Sequence, residues 1–498
     1  MSCLTDWRHR ALTFLTITVL GLASIPASAE RGLSEADALN SFDQVWERVR
    51  DQYFDFERIE DDWEQGRERL RPQAAEAENP AELRAVLHEL LALIGESHFS
   101  IIPGDTFERL AALEDADSTA EPDIAPEAPQ AATGLAVRWI DETVRVSKVR
   151  PGSPAERADI QPGWSVVAVN DFDISSVVAE IAAIGDDSDR SRAITRFEYG
   201  MRHRLSFPPS EQEIEIAMVD QDGEPQQRRI SGEAMEHGVV QFGNLPPMTF
   251  DFSLAREEIE TGCVSVIAFS TWVPALADEI QDRRDEIFAC QGLVLDLRGN
   301  PGGVLTTMVQ LANDLFDESA LLGTLLRTDA RLEFRAFPRR VAMDGTRLEP
   351  FSGPIAILID GMSGSTSELF AAGMQGNERA KLFGERSAGM ALPARTLPLA
   401  SGDILMYAFA DYQDNLGRRV EGVGVHPDYP VELTADNIGQ QPDPVMQAAL
   451  EWMSAEFNVL ELGLFDDCRG KDHVENHAEN GRSGLAAEYE PLVCRDRR

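Results

Sequence analysis

A serine in the second half of the chain lies where an apolar run gives way to a helical pattern. Residues 354–360 (PIAILID) have the composition and length of a buried strand, residues 361–364 (GMSG) indicate a turn, and the apolar residues within 369–374 follow helical spacing. Ser365 is therefore predicted to lie between a strand and a helix. There, the first N–H groups of the helix have no intrahelical partner and can support a nucleophile or bind an oxyanion.

The same residues also match a helix cap. Glu368 follows Ser365 by three positions, which is the spacing of a capping box. Because capping boxes open many helices that have no catalytic role, this spacing alone favours capping over catalysis. A catalytic role for Ser365 therefore requires a base and an oxyanion site elsewhere in the chain.

A histidine is available near the N-terminus. Apolar residues recur at intervals of three and four over residues 42–53 and 83–94, and Asn79-Pro80 predicts the start of the second long helix. We therefore expect a small helical bundle within residues 30–113. His98 follows this bundle at the beginning of a short strand-like run. A single histidine at such a place is more often structural than catalytic.

The charge of the chain limits its partners. The 498 residues carry a formal net charge of −41, whereas nucleic acids and anionic membranes bind basic surfaces. We therefore expect no nucleic-acid partner. Lysine occurs only as Lys148, Lys381 and Lys471, so the sequence offers few candidates for a lysine base.

The first residues predict export. Arg8 and Arg10 precede an apolar run at residues 11–23, and residues 27–29 (ASA) match a small-residue cleavage signal. Residues 1–29 are thus predicted to be a signal peptide, whose removal leaves a periplasmic or extracellular chain. The apolar run is too short to span a bilayer comfortably, and we expect no stable membrane insertion.

The cysteines agree with an exported protein. Four remain after the signal peptide, and an even number in an exported chain predicts two disulfides. Of the possible pairings, the local one joins Cys263 to Cys290 and Cys468 to Cys494. None of the four has the spacing of a zinc-binding motif, so no metal site is predicted.

An acidic stretch separates the helical region from a β-rich region. Residues 114–132 are rich in Ala, Pro, Asp and Glu and are predicted to form a solvated linker. Residues 133–232 then contain a glycine-led loop, a turn and short helix at 151–158 (PGSPAERA), and a strand within 160–170 (IQPGWSVVAVN). This order of elements resembles that of a PDZ domain.

The resemblance to a PDZ domain implies a role in peptide binding. PDZ domains add an extended peptide to a sheet edge and bind its terminal carboxylate through backbone N–H groups. By position, Gly134, Leu135 and Ala136 match the carboxylate-binding loop. The alternative is a domain of this kind that only packs against its neighbours.

Strands and helices alternate over residues 238–457, which predicts an α/β domain. The predicted elements before Ser365 are a strand at 263–269, a helix at 275–288, a strand at 292–297 and a helix at 304–316. The glycine turn at 298–303 (RGNPGG) lacks the Lys-Ser/Thr pair of a phosphate-binding P-loop. Its other possible role is that of an oxyanion donor, since glycine lets the backbone approach a substrate closely. Residues 458–498 are a polar tail without an assigned function.

Four motifs resemble those of the tail-specific, or carboxyl-terminal processing, serine proteases and the related tricorn core proteases. They are DLRGNPGG at 296–303, GSTSE at 364–368, GERSAG at 384–389 and EGVGVHPD at 421–428. The resemblance implies an α/β multidomain fold with a helical N-terminal bundle, a PDZ-like β domain and a crotonase-like or ClpP-like α/β catalytic core. It also implies polypeptide substrates recognised through their C-terminal segments, an acyl-enzyme intermediate and no cofactor.

Positions within these motifs imply the roles of individual residues. Ser365 matches the nucleophile of the family. The backbone N–H of Thr366, together with that of Gly302 or Gly303, matches the oxyanion hole.

One position departs from the tail-specific pattern. Met390 stands where that branch has a lysine base, and a thioether cannot accept the proton. The tricorn-like branch uses a Ser-His pair after the N-terminal helices and a downstream glutamate, and Ser97, His98 and Glu421 match these positions. The resemblance thus implies that His98 takes the proton of Ser365 while Ser97, held by Glu421, orients the imidazole.

Two other functions stay open at this stage. The protein could have kept the fold and lost catalysis, and then serve as a PDZ-based binding or scaffold protein. The retention of His98 beside Ser97 speaks against this alternative. An esterase or amidase for small substrates is also conceivable, but it would leave a peptide-binding domain without a purpose.

Overall fold

The computed structural model describes residues 33–104, 131–185, 187–206, 213–234, 239–240, 248–342, 344–440 and 442–461. The predicted signal peptide, Cys468 and Cys494 lie outside these residues, as do most of the predicted linker and tail. Export and the second disulfide therefore stay predictions. Among the described helices, none combines the length and the apolar composition that a bilayer span requires.

The N-terminal bundle contains helices α1 (Glu35–Gln52), α2 (Glu60–Ala75) and α3 (Pro80–Ala92). The predicted start of the last helix is confirmed. The Asn79 side chain accepts a hydrogen bond from the Glu82 N–H, and the proline ring, which has no N–H to lose, occupies the first helical position.

The core of the bundle includes side chains from a distant part of the chain. Leu405 and Tyr407 are buried in the same cluster as the apolar residues of the three helices. Strand β1 (Ser100–Ile102) pairs antiparallel with β20 (Ile404–Ala408). The segment between α3 and β1, which carries His98, is therefore fixed to the domain that contains β20.

Residues 131–234 form what we call the middle domain, the region predicted to be PDZ-like. Its main sheet is antiparallel with the order β3-β4-β5-β7-β8, in which β3 lies at one edge. A short pair, β2 with β9, includes the last two residues of the predicted linker. The elements are β2 (Ala131–Ala132), β3 (Leu135–Ile140), β4 (Thr143–Val149), α4 (Pro154–Arg157), β5 (Ser165–Val169), β6 (Phe172–Asp173), α5 (Ile174–Ala182), α6 (Asp187–Ser206), β7 (Glu213–Val219), β8 (Pro225–Ser231) and β9 (Glu233–Ala234).

The predicted α/β domain is built on a six-stranded sheet with the order β12-β13-β14-β17-β18-β22. Strand β12 runs antiparallel to β13, and the other neighbours are parallel. The elements are β10 (Val239–Val240), β11 (Met248–Thr249), β12 (Phe252–Ile259), β13 (Gly262–Phe269), α7 (Pro274–Asp282), α8 (Arg284–Ile287), β14 (Gly292–Asp296), α9 (Leu305–Ala312), β15 (Ala320–Leu326), β16 (Arg331–Ala336), β17 (Ile355–Ile359), α10 (Thr366–Gly376), β18 (Lys381–Gly384), β19 (Ala394–Pro398), β20, β21 (Asp411–Asp414), β22 (Tyr429–Pro430) and α11 (Pro444–Glu461).

Helices cover both faces of this sheet. Leu293 and Leu295 of β14 are buried in the cluster that contains α9 and α10, whereas Val294 is buried in the cluster that contains α11. This alternation follows from the period of two in a strand. A strand buried on both faces also explains why the sequence of β14 is continuously apolar.

Two predicted helices differ in extent from those observed. The helix predicted at 275–288 is divided into α7 and α8, because Arg283 adopts a φ of −107° and a ψ of 15°, outside helical geometry. The helix predicted at 304–316 ends earlier. Asn313 caps it and uses both its side chain and its carbonyl to accept hydrogen bonds from the segment that follows β16.

The glycine turn after β14, the turn before Ser365 that follows β17, and the GERSAG segment after β18 lie at one end of the sheet. Strands β13, β14, β17 and β18 are parallel, and the residues that follow their carboxyl ends meet at one edge. Binding sites of open parallel sheets lie at this edge.

The predicted Cys263–Cys290 pair is confirmed, since the two sulfurs are at disulfide distance and the Cα atoms are 5.1 Å apart.

Candidate active site

Ser365 occupies the predicted junction between a strand and a helix. Strand β17 ends at Ile359 and helix α10 begins at Thr366. Ser365 has a φ of 50° and a ψ of −121°, a backbone conformation that residues other than glycine rarely adopt. Strained backbone of this kind persists only where surrounding contacts hold it, and it is enriched at functional sites.

The Glu368 carboxylate is the main contact that holds this turn. It is fully buried and accepts hydrogen bonds from two separate segments. Oε2 accepts from the N–H groups of Ser365 at 3.0 Å and Met390 at 2.9 Å. Oε1 accepts from the Ser387 hydroxyl at 2.6 Å and the Gly389 N–H at 2.7 Å. The capping interaction suggested by the sequence thus belongs to a larger junction between the serine turn and the GERSAG segment.

The glycine turn lies directly against Ser365. A Cβ atom on Gly302 would be 2.6 Å from the Ser365 Cβ and 2.8 Å from the Thr366 nitrogen, so only glycine fits there. Its φ of 103° also favours glycine. The Thr366 hydroxyl donates a hydrogen bond to the Gly303 carbonyl at 2.8 Å, which joins the two turns.

The two glycine N–H groups differ in their availability. The Gly302 N–H donates to the Asn300 side-chain oxygen at 3.0 Å. Among the hydrogen bonds of the described residues, none involves the N–H of Gly303 or of Thr366. Of the predicted oxyanion donors, Thr366 and Gly303 therefore remain available to a substrate. The sequence analysis did not single out Asn300, because an asparagine in a glycine turn is common for conformational reasons alone.

The structure brings Ser97, His98 and Glu421 together. The Ser97 hydroxyl lies 2.7 Å from His98 Nδ1 and donates to Glu421 Oε2 at 2.8 Å. Glu421 Oε1 also accepts from the Ser97 N–H at 2.8 Å. Glu421 is 3% exposed, and His98 adopts a left-handed φ of 61°. These contacts fix the position of the imidazole ring.

The hydrogen-bond directions determine the tautomer of His98. A serine hydroxyl has one proton, and here that proton points at the Glu421 carboxylate. The Ser97 oxygen must then accept a hydrogen bond from His98 Nδ1, which therefore carries the ring proton. The neutral imidazole consequently presents an unprotonated Nε2, as a general base requires.

Burial changes the proton affinities of both groups. It lowers the pKa of the His98 imidazole to about 4, so the ring is neutral at physiological pH. Burial raises the pKa of the Glu421 carboxyl, while the hydrogen bonds from Ala391 and Ser97 oppose this rise. A carboxylate that accepts several hydrogen bonds retains charge at low dielectric more easily than one without partners.

A single peptide unit connects the histidine group to the serine turn. The Met390 carbonyl accepts the Ser365 N–H at 2.8 Å, and the adjoining Ala391 N–H donates to Glu421 Oε2 at 2.7 Å. No hydrogen bond of the described residues joins His98 directly to Ser365. The two groups are thus adjacent through the backbone of residues 390–391, the position at which the tail-specific branch has its lysine.

The lysines in the described part of the chain lie elsewhere. Lys381 begins β18 and pairs with Ala356 near the amino end of β17, whereas Ser365 follows the carboxyl end of that strand. Lys148 is exposed on β4 of the middle domain. Lys471 lies outside the described residues.

The predicted peptide-binding loop makes contacts within its own domain. The Leu135 N–H donates to the Thr133 hydroxyl at 3.2 Å, and the Gly134 carbonyl accepts the Arg150 N–H at 2.8 Å. Ala136 pairs with Lys148 in the sheet. The middle domain thus uses part of this loop internally, and its binding role stays a prediction.

Comparison with known proteins identifies the catalytic domain. Residues 260–431 match the model of peptidase family S41, and residues 34–92 match that of the tricorn protease C1 domain. The chain carries a peptidase family S41 domain. It is a serine-type peptidase, and the resemblance seen in the motifs is confirmed.

Curated relatives of the chain are named carboxyl-terminal-processing proteases. The carboxyl-terminal-processing protease of Synechocystis sp. is 23% identical over 420 residues, which cover 82% of this chain and 86% of the relative. The carboxyl-terminal-processing protease of Picosynechococcus sp. is 22% identical over 466 residues, which cover 91% of this chain and 99% of the relative.

Solved structures confirm the α/β multidomain fold of the chain. The photosystem II D1 C-terminal processing protease is 17% identical and has a TM-score of 0.50, with 82% of this chain and 98% of that chain covered. Mature CPAF is 12% identical and has a TM-score of 0.56, with 87% of this chain and 98% of the CPAF chain covered.

We predict that Glu368→Gln changes how the stability of the S41 peptidase depends on pH. Burial raises the pKa of Glu368 to about 7, so the protonated form is favoured on folding. The stability from this group is fully present below the unfolded pKa of about 4.3 and is lost as pH rises through the folded value. Glutamine does not titrate. The advantage of wild type over the variant should therefore shrink with rising pH, by up to ~1.4 kcal/mol per unit.

Urea unfolding of the two proteins at a series of pH values between about 5 and 8 measures this difference. A difference in unfolding free energy that stays constant across the range contradicts the prediction.

Proposed function

We propose that this S41 peptidase is an exported serine endopeptidase that cleaves polypeptides through an acyl-enzyme on Ser365, with His98 as the general base. The observation that carries the proposal is the Met390–Ala391 peptide unit, which binds the serine turn through its carbonyl and the histidine-orienting carboxylate through its N–H. Nucleophile, base and orienting group are thus parts of one hydrogen-bonded assembly.

The chemistry follows from the available atoms. His98 Nε2 accepts the hydroxyl proton of Ser365 as Oγ forms a bond to the carbonyl carbon of the scissile peptide. The carbonyl oxygen becomes an oxyanion that the N–H groups of Thr366 and Gly303 stabilise. The imidazolium then gives its proton to the leaving amine as the C–N bond breaks. Water then attacks the resulting ester while His98 accepts its proton. The imidazolium returns this proton to Ser365 Oγ, which releases the product carboxylate and restores the serine.

The surroundings of His98 suit this role. Because burial holds the pKa of His98 near 4, the ring enters the reaction in its neutral, proton-accepting form. The imidazolium that forms is disfavoured by the same burial. The hydrogen-bonded chain from Nδ1 through Ser97 to Glu421 counters this, because it ends in a carboxylate.

We also propose that the substrates are polypeptides presented by their C-terminal segments and that the protein acts outside the cytoplasm. The names of the curated relatives support the first point, since both are carboxyl-terminal-processing proteases. The Cys263–Cys290 pair supports the second, because stable disulfides form in oxidising compartments.

We predict that the mature protein begins at Glu30, because export removes the signal peptide. N-terminal sequencing of the purified protein measures this. Retention of residues 1–29 contradicts export.

We predict that His98→Ala abolishes labelling of Ser365 by a fluorophosphonate probe as completely as Ser365→Ala does. Without the imidazole, the proposed proton acceptor for the Ser365 hydroxyl is missing. Lys381→Ala is the matched control for a lysine base and should react like wild type. Glu421→Gln should react more slowly than wild type but faster than His98→Ala, because it weakens the orientation of Ser97 and leaves the base in place.

The rate of labelling in the full-length proteins decides between the alternatives. Full reactivity of His98→Ala, or loss of reactivity in Lys381→Ala, refutes the proposed base. Absence of labelling in wild type favours the inactive binding or scaffold protein.

We predict that the middle domain binds a free C-terminus. If Gly134, Leu135 and Ala136 bind a carboxylate, a peptide with a free C-terminus should bind Ser365→Ala protein more tightly than its amidated twin, since the amide lacks the charge-assisted hydrogen bonds to backbone N–H groups. A difference of about tenfold is expected. Isothermal titration with the two peptides measures it. Equal affinities, or no binding, indicate that the domain only packs against its neighbours.

A further inference from the structure

One face of helix α6 contacts three of the segments near Ser365. The helix belongs to the middle domain, and four of its residues are spaced by four, four and three positions, which places them on one stripe. Their partners lie on the GERSAG segment, the serine turn and the glycine turn. The contacts are Ser191 with Arg386, Thr195 with Gly361, Tyr199 with Met362, and Arg202 with Gly299.

Tyr199 makes the contact nearest to the nucleophile. Its hydroxyl donates a hydrogen bond to the Met362 carbonyl at 2.9 Å. A Cβ atom on Gly364, the residue before Ser365, would lie 2.8 Å from the Tyr199 oxygen. The hydroxyl is therefore packed against the peptide groups that lead directly into the strained serine. Burial raises the pKa of Tyr199, so the hydroxyl keeps its proton and remains a donor.

A buried ion cluster fixes α6 at this place. Arg138 of β3 binds Glu198 of α6 at 2.9 Å, Glu385 at 2.8 Å, and Asp360. Asp360 in turn accepts the N–H groups of Gly299 at 2.9 Å and Met362 at 3.0 Å. The cluster thus joins the middle domain to the starts of both turns. Removal of one partner would leave buried charges unpaired and destabilise the protein, so it offers no clean test of catalysis.

We propose that Tyr199 is a positioning residue for catalysis, through which the middle domain holds the serine turn in its reactive geometry. The inference rests on the proposed function of Ser365. The turn carries both the nucleophile and the Thr366 N–H, and Ser365 departs from preferred backbone angles. A turn in this state relaxes unless its peptide groups are held, and small displacements of a nucleophile reduce acylation strongly.

Tyr199→Phe tests this inference because it removes one hydroxyl and keeps the ring. Tyr412→Phe is the matched control. Tyr412 is also buried in the catalytic domain, and its hydroxyl has no hydrogen-bond partner within the described residues. The experiment measures fluorophosphonate labelling of the full-length proteins, with the maximal rate constant, the half-saturating probe concentration and the labelled fraction determined separately.

We expect Tyr199→Phe to lower the maximal rate constant about tenfold, with an unchanged half-saturating concentration and a full labelled fraction. Tyr412→Phe should match wild type in all three. A Tyr199→Phe rate constant equal to that of wild type overturns the inference. So does a reduced labelled fraction with an unchanged rate constant, since that pattern reports partial unfolding and not misplacement.

The outcome is distinguishable from failure of the proposed function. If wild type labels no better than Ser365→Ala, the acyl-enzyme proposal is wrong. If wild type labels at Ser365 and Tyr199→Phe labels equally fast, only the positioning role is wrong.

Discussion

The peptide group between Met390 and Ala391 is the contact on which the geometry of the candidate site depends. Its carbonyl accepts the Ser365 N–H and its N–H donates to Glu421, so one peptide group joins the serine turn to the carboxylate that holds Ser97. Two buried carboxylates flank it, because the Met390 N–H donates to Glu368. Burial of a carboxylate is costly unless hydrogen bonds replace its water, and every hydrogen bond described for these two carboxylates serves to hold catalytic segments.

This arrangement explains why the peptidase needs domains that are distant in sequence. The histidine comes from the segment after the N-terminal bundle, and that segment is held by the pairing of β1 with β20 and by an ion pair between Glu96 and Arg419 at 2.9 Å. The serine turn is held from the other side by helix α6 of the middle domain. In the proposed mechanism, the domain of the six-stranded sheet supplies the nucleophile, and its neighbours supply the base and the support.

The parts of the site that depend on residue type could be predicted from the sequence. Ser365, His98, Ser97 and Glu421 could be proposed because their side chains have groups suited to the chemistry, and the strand and helix around Ser365 follow from apolar periodicity. The role of Met390 could not be predicted, since it acts through its backbone and any residue has the same peptide group. The contact of helix α6 with the serine turn could not be predicted for another reason. The apolar stripe of the helix, which includes Phe197, Met201 and Leu205, packs into the core of the middle domain. The face towards the serine turn is polar, and a polar helix face usually contacts solvent. The choice between the two glycine N–H groups required the position of the Asn300 side chain.

The central claim is that His98, kept neutral by burial and oriented by Ser97 and Glu421, is the base. The most direct test is the rate constant for fluorophosphonate labelling of Ser365 in wild type as a function of pH, with circular dichroism at each pH to verify that the protein is folded. The rate should fall as pH drops, because protonated imidazole cannot accept the hydroxyl proton, with a midpoint near the His98 pKa of about 4. A rate that stays constant as pH falls well below 4 while the protein remains folded would contradict the account, because a protonated imidazole cannot accept the hydroxyl proton.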